Sequence, residues 1–154
     1  MKKVCTRRRK AIEHIYTVTA EVQFINNDDI PEPYGWINIH QDGVCTTLWT
    51  QQEDGNKTPK VSKITASADI AAYTIPNQLC FSGDVQEYSY LNGTNILAFS
   101  TKKVCGTAHQ TIKLSGKDKN HYVILKYQLK PKYAFTESPS ISNLKYMDFN
   151  SKFF

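Results

Sequence analysis

The sequence predicts an all-β protein: an antiparallel β-sandwich, or flattened barrel, of about seven to nine short strands with an aromatic C-terminal extension. Three observations predict it. Apolar and polar residues alternate with a period of two in several segments, turn-forming residues recur about every ten residues, and no long helical period separates the extended segments. The last point argues against a parallel α/β fold, in which helices cross over between strands.

The first strand is the clearest. Between Ile15 and Phe24, the residues Tyr16, Val18, Ala20, Val22 and Phe24 alternate with Thr17, Thr19, Glu21 and Gln23, so one face is apolar and the other polar. Asn26-Asn27-Asp28-Asp29 and Pro31-Glu32-Pro33 then supply turn residues and positions without an amide donor, which places a loop there that runs on to Tyr34 and Gly35. Trp36 to His40 and Val44 to Thr50 flank Gln41-Asp42-Gly43, and Asp-Gly favours the positive backbone angles of a tight hairpin. Glu53-Asp54-Gly55-Asn56 is the next turn. From Val61 to Tyr73 the alternation of Ile64, Ala66, Ala68, Ile70 and Ala72 reads as a strand, while the alanine content reads as a helix, and the segment is open to either.

Short strands follow at Gln78 to Phe81, Glu87 to Tyr90, Ile96 to Ser100, Thr111 to Leu114 and Tyr122 to Leu129. Gly83-Asp84, Asn92-Gly93, Gly106 and Gly116-Lys117-Asp118 are read as the breaks between them. The last strand, with Val123, Leu125, Tyr127 and Leu129 on one face, reads as central. After Pro131 the composition turns irregular and aromatic, and a short helix from Ile141 to Phe149 with Ser140 as its N-cap is one reading of that stretch. The division expected is a basic arm over residues 1–10, a sandwich over 11–131, and an extension over 132–154 that packs on the domain or on a partner.

At 154 residues there is room for one domain with its own apolar core. No stretch approaches the roughly 18 consecutive apolar residues of a membrane-spanning helix. The formal charge of +5 is concentrated at one end, because residues 1–10 hold six of the nineteen Lys and Arg, and the remainder carries thirteen basic against fourteen acidic side chains. All three arginines, Arg7, Arg8 and Arg9, lie in this arm. Its readings are a solvated end, a processing remnant, a nucleic-acid patch, or a contact with anionic lipid or an acidic partner; nucleic acid is not the expected partner. The polar Thr-Arg-Arg-Arg-Lys run stands where a signal peptide needs an apolar segment.

Cys5, Cys45, Cys80 and Cys105 form no C-x-x-C pair, so the spacing of zinc ribbons and redox motifs is absent. Asn92-Gly93 lies midway between Cys80 and Cys105, and a hairpin folded there sets those two opposite each other as a disulfide; buried, reduced thiols are the alternative. Two glycosylation-type triplets, at Asn56 and Asn92, are no more than ten Asn and 24 Ser and Thr produce by chance.

Chemistry-bearing motifs are scarce. His14, His40, His109 and His121 sit on separate segments without metal-ligand spacing, and no phosphate-cradling loop or nucleophile elbow occurs. Cys105 with His109 has a numerical spacing for a nucleophile pair and nothing else in its favour. The expectation is therefore a protein that is not an enzyme and has no cofactor. Calcium on the loop aspartates Asp28, Asp29, Asp42, Asp54, Asp84 and Asp118 is a minor alternative, weakened because hairpin connections alternate between the two ends.

Aromatic residues carry the functional expectation. Trp36 falls in phase with Asn38 and His40 on the polar side of its strand, Tyr34 precedes it, and Tyr88 and Tyr90 share another strand face. Together with Trp49 these residues form the expected ligand-binding set, because rings with a polar edge bury much area at low entropic cost. The reading is a secreted or surface-displayed recognition domain that binds a glycan or a protein receptor. A cytoplasmic interaction protein that neutralises a toxin or effector, and a membrane-active or lipid-binding β-protein, are the alternatives.

Overall fold

The computed structural model describes residues 14–26, 30–54, 57–72, 74–89, 93–107, 109–116 and 119–134. Eight strands run in chain order: β1 (His14–Asn26), β2 (Pro33–Gln41), β3 (Val44–Gln51), β4 (Lys63–Ala72), β5 (Gln78–Ser89), β6 (Gly93–Thr107), β7 (Thr111–Ser115) and β8 (His121–Ala134). They form two antiparallel four-stranded sheets, ordered β4-β1-β8-β7 and β3-β2-β5-β6, packed face to face as a sandwich.

Alternation decides which side chains enter the layer between the sheets. On β1, Val18, Ala20, Val22 and Phe24 are buried, and they are joined by Val123, Leu125, Tyr127 and Leu129 of β8 and by Ile112 and Leu114 of β7. The opposite sheet contributes Ile37, Ile39, Leu48, Leu79, Phe81 and Val85. Phe81 meets Tyr127 with ring centroids 4.8 Å apart, and this contact bridges the two sheets at the centre of the core. The ambiguous segment after Val61 is a strand: β4 pairs with β1 from Gln23↔Lys63 to His14↔Ala72, so a paired edge overrides the helical preference of its alanines.

The Asp42-Gly43 hairpin forms as expected, with φ of 52° and 76° at the two turn residues. Three other breaks read from the sequence are not breaks. Tyr34 and Gly35 belong to β2, Gly83 and Asp84 lie inside β5, and Gly106 lies inside β6. The reason at Gly83 is packing. A Cβ there would stand 3.2 Å from Leu114 Cδ1 and 3.1 Å from the Trp36 carbonyl oxygen, so the missing side chain lets β5 approach the facing sheet.

β8 continues through Pro131. The ladder with β1 shifts register between Ile15 and Tyr16, and β7 pairs only with residues 122–126, so the proline sits beside a bulge and on an unpaired side where no amide donor is required. The connection after β3 is tied to the first loop by Val61 N–H donating to the Pro31 carbonyl at 2.9 Å and Phe24 N–H donating to the Ser62 carbonyl at 2.8 Å. No helix among the described residues is long and apolar enough to cross a membrane.

Burial raises the pKa of Tyr127 above its ordinary value of 10.0, and its hydroxyl donates to the Thr107 carbonyl at 2.6 Å. The fold therefore holds this proton more tightly than the unfolded chain does. The associated stability is complete below the unfolded pKa of about 10 and is lost as pH rises through the higher folded value. In urea titrations, the stability advantage of wild type over Tyr127→Phe is expected to be about 1–2 kcal/mol near neutrality and to shrink above about pH 10. A difference that grows with alkalinity would contradict the assignment.

Candidate functional site

The outer face of the β3-β2-β5-β6 sheet gathers most of the side chains that the sequence nominates for recognition. Tyr34, Trp36, Asn38 and His40 project from β2, opposite Gln86, Asp84, Ser82 and Cys80 of β5 in a continuous register. Tyr88 follows on the same face of β5, its N–H donating to the Glu32 carbonyl at 3.0 Å. Tyr90 and Arg7, Arg8 and Arg9 lie outside the described residues. So do Asp28, Asp29, Asp118, Asn56 and Asn92, and the aromatic stretch with its expected helix.

Trp49 is not part of this face. Leu48 is an extra residue opposite the Ile37–Asn38 step, and the bulge reverses the phase of β3 so that Trp49 pairs with Ile37 and turns inward. Its ring packs on Phe24 at 5.2 Å between centroids. Trp36 does lie on the outer face but is only 8% exposed. Alternation along β2 predicts its side and not its depth.

At the upper end of this face, where β1 ends and β2 begins, is a pocket of about 320 Å³. Tyr34, Gly35 and Trp36 of β2 form one part of its wall, Thr50 and the run Gln51-Gln52-Glu53 a second, and Asp84 and Gln86 of β5 a third. Tyr34 Oη donates to Gln86 Oε1 at 3.3 Å, and Gln86 Nε2 donates to Asp84 Oδ1 at 3.4 Å, which orders the polar wall. The pocket depends on Gly35. With φ of 125°, this residue lets β2 approach β5 so closely that a Cβ would fall 2.0 Å from the Asp84 carbonyl oxygen.

Beneath the pocket the face contains buried polar groups without partners. Trp36 Nε1 and both amide atoms of Asn38 are buried and make no hydrogen bond, and Asn38 is wholly inaccessible. Such groups ordinarily find partners in native proteins, which makes this strip of β2 unusual. Lower still, His40 Nε2 and Ser82 Oγ are 2.7 Å apart. The pair has the reach of a nucleophile and base, but Ser82 is 1% exposed, and the contact braces the sheet from within.

Cys80 and Cys105 are paired across β5 and β6 with Cα atoms 4.0 Å apart, and they form the disulfide expected from the intervening turn. Cys45, opposite His40, is disulfide-bonded as well. The alternative of reduced thiols is thereby overturned, and Cys105 has no thiol to offer His109. His109 instead accepts the Leu129 N–H through Nδ1 at 3.3 Å. Among the described residues no group of three His, Cys, Asp or Glu side chains could hold a metal ion. Of the described loop aspartates, Asp42 and Asp54 lie at opposite ends, and Asp84 is within a strand.

Asp84 and Gln86 are site residues that the sequence reading misses. The signal is present, since Ser82, Asp84, Gln86 and Tyr88 keep strict alternation with Phe81, Gly83, Val85 and Glu87; reading Gly83-Asp84 as a turn conceals it.

The fold and its face define an all-β binding domain of the sandwich class. No protein-family model matches the chain, and no curated protein matches it in sequence. Among solved structures, a chain in the crystal structure of the Cry23Aa1 and Cry37Aa1 binary protein complex is 36% identical, with a TM-score of 0.70 over 76% of this chain and 98% of that one. At that identity over almost the whole of that chain, the protein belongs to the same family. A domain of plant extended synaptotagmin 1 superposes with a TM-score of 0.40 at 12% identity, over 84% of this chain and 100% of that one, too little to carry an argument.

Gly35→Ala is expected to cost at least about 2 kcal/mol of unfolding free energy, from strain and the clash with β5 together. Gly43→Ala, at φ 76° but with open space around the missing Cβ, should cost about 1 kcal/mol. Equal costs, measured by urea denaturation, would mean that the close approach of β2 and β5 is not what Gly35 provides.

Proposed function

We propose that the protein is a non-enzymatic recognition component that acts outside the cell as one half of a two-protein assembly. The observation that carries this reading is the 36% identity to a chain crystallised within a binary protein complex. Two features support it. The outer face of the β3-β2-β5-β6 sheet combines aromatic, amide and carboxylate side chains on rigid strands, a composition suited to recognition. The disulfides suit an oxidising compartment, where such bonds form and persist.

The partner of this reading is a second, different polypeptide. Protein isolated from its native source should elute as a species heavier than its own 154 residues allow, with one other polypeptide in equal amount by mass spectrometry. Elution alone, or only with further copies of itself, would defeat the proposal. Alkylation before and after reduction checks the compartment, since the native-source protein should show no reactive thiol at Cys45, Cys80 or Cys105.

A further inference from the structure

We infer that the pocket between Tyr34, Trp36 and Asp84 is a subsite for a single sugar residue. The inference goes beyond the two-protein reading and does not depend on it, since an assembly component needs no such pocket.

Size sets the first limit. A volume of about 320 Å³ lies at the lower end of the range of roughly 300–1,000 Å³ typical of small-molecule sites. It has room for one pyranose ring and not for a buried oligosaccharide. Charge sets the second. The residues on its wall include Glu53 and Asp84 and no Lys, Arg or His, so a phosphate, sulfate or carboxylate ligand would meet charges of its own sign without compensation.

Hydrogen-bond capacity selects among the neutral and cationic ligands that remain. Trp36 Nε1 is a buried donor with no acceptor. Asp84 is purely an acceptor, and Gln86 engages only its Oδ1, at a long 3.4 Å. A ligand that satisfies both must accept from an indole N–H and donate to a carboxylate, and a hydroxyl group does both at once. An ammonium or guanidinium group would pair with Asp84 and leave the indole N–H unmet, because it has donors only. An apolar ligand would satisfy neither. The ring of Tyr34, half-buried beside Gln86, supplies the apolar surface that suits the C–H face of a pyranose. Strands rather than a long loop hold Tyr34, Trp36, Asp84 and Gln86, so binding demands little ordering of the protein.

The test uses the full chain, ¹⁵N-labelled, titrated with methyl glycosides of the common hexoses and N-acetylhexosamines, and separately with butylguanidine. At least one glycoside should move the Trp36 indole N–H resonance and the backbone amides of Asp84 and Gln86 in a saturable way, with Kd on the order of 1 mM for so small a ligand. Asp84→Asn, which keeps the shape of the wall, should weaken that binding about tenfold. Trp36→Phe, which removes the N–H while keeping a ring, should also weaken it, provided its thermal melt matches wild type. The inference is overturned if no glycoside moves the indole resonance, if Asp84→Asn leaves binding unchanged, or if butylguanidine alone saturates the site. In each case co-elution of the native protein with a second polypeptide is unaffected, so the two proposals fail separately.

Discussion

The layer of apolar side chains between the sheets enforces the alternation on which every other feature of this protein rests. Val18, Val22 and Phe24 on one side meet Ile37, Ile39, Phe81 and Val85 on the other, with eleven large side chains fully enclosed. Each contributes roughly 1.5–3 kcal/mol on burial. A slip of one residue in β2 or β5 would turn that row to solvent and place Trp36, Asn38, Ser82 and Asp84 in the core, a large and unopposed loss. The register that builds the pocket is thus fixed from the opposite face of the same strands. The site has few bonds of its own because the core does the positioning.

What can be read from sequence follows from how local each signal is. The alternation of β1 and β8, the Asp42-Gly43 hairpin and the Cys80–Cys105 pairing all depend on residues near one another along the chain, and each is legible. The errors occur where a distant contact chooses between readings. Gly83 resembles a turn residue until Leu114, 31 positions later, is seen to occupy the space of its side chain. Trp49 is in phase with an outward face until the extra residue Leu48 reverses β3. No pattern within either strand announces such a bulge.

For the candidate site, the face is legible and the pocket is not. A period of two places Tyr34, Trp36, Asn38 and His40 together, and Tyr88 shares their face. Asp84 and Gln86 complete the wall only because β5 runs unbroken past Gly83 and lies antiparallel to β2, a pairing across 48 positions at Trp36↔Asp84. The depth of Trp36 and Asn38 is hidden as well. Both read as exposed polar-side residues, yet each is almost sealed with hydrogen-bonding capacity unused. That combination is costly to a free protein and gives a reason to regard this strip, rather than the loops, as the part of the fold shaped by binding.

The Cys80–Cys105 link also shapes how the sandwich comes apart. β6 is the outermost strand of its sheet, and two irregularities interrupt its ladder with β5. Fraying that begins at Gly93 can travel down the strand only until it reaches the covalent tie, so thermal breathing peels back a flap and does not release the whole ribbon. Reduction removes that stop. Under thiol-rich conditions the same motion can run through to Thr107 and uncover Leu79 and Phe81, coupling the integrity of the core to the chemistry of the surrounding medium.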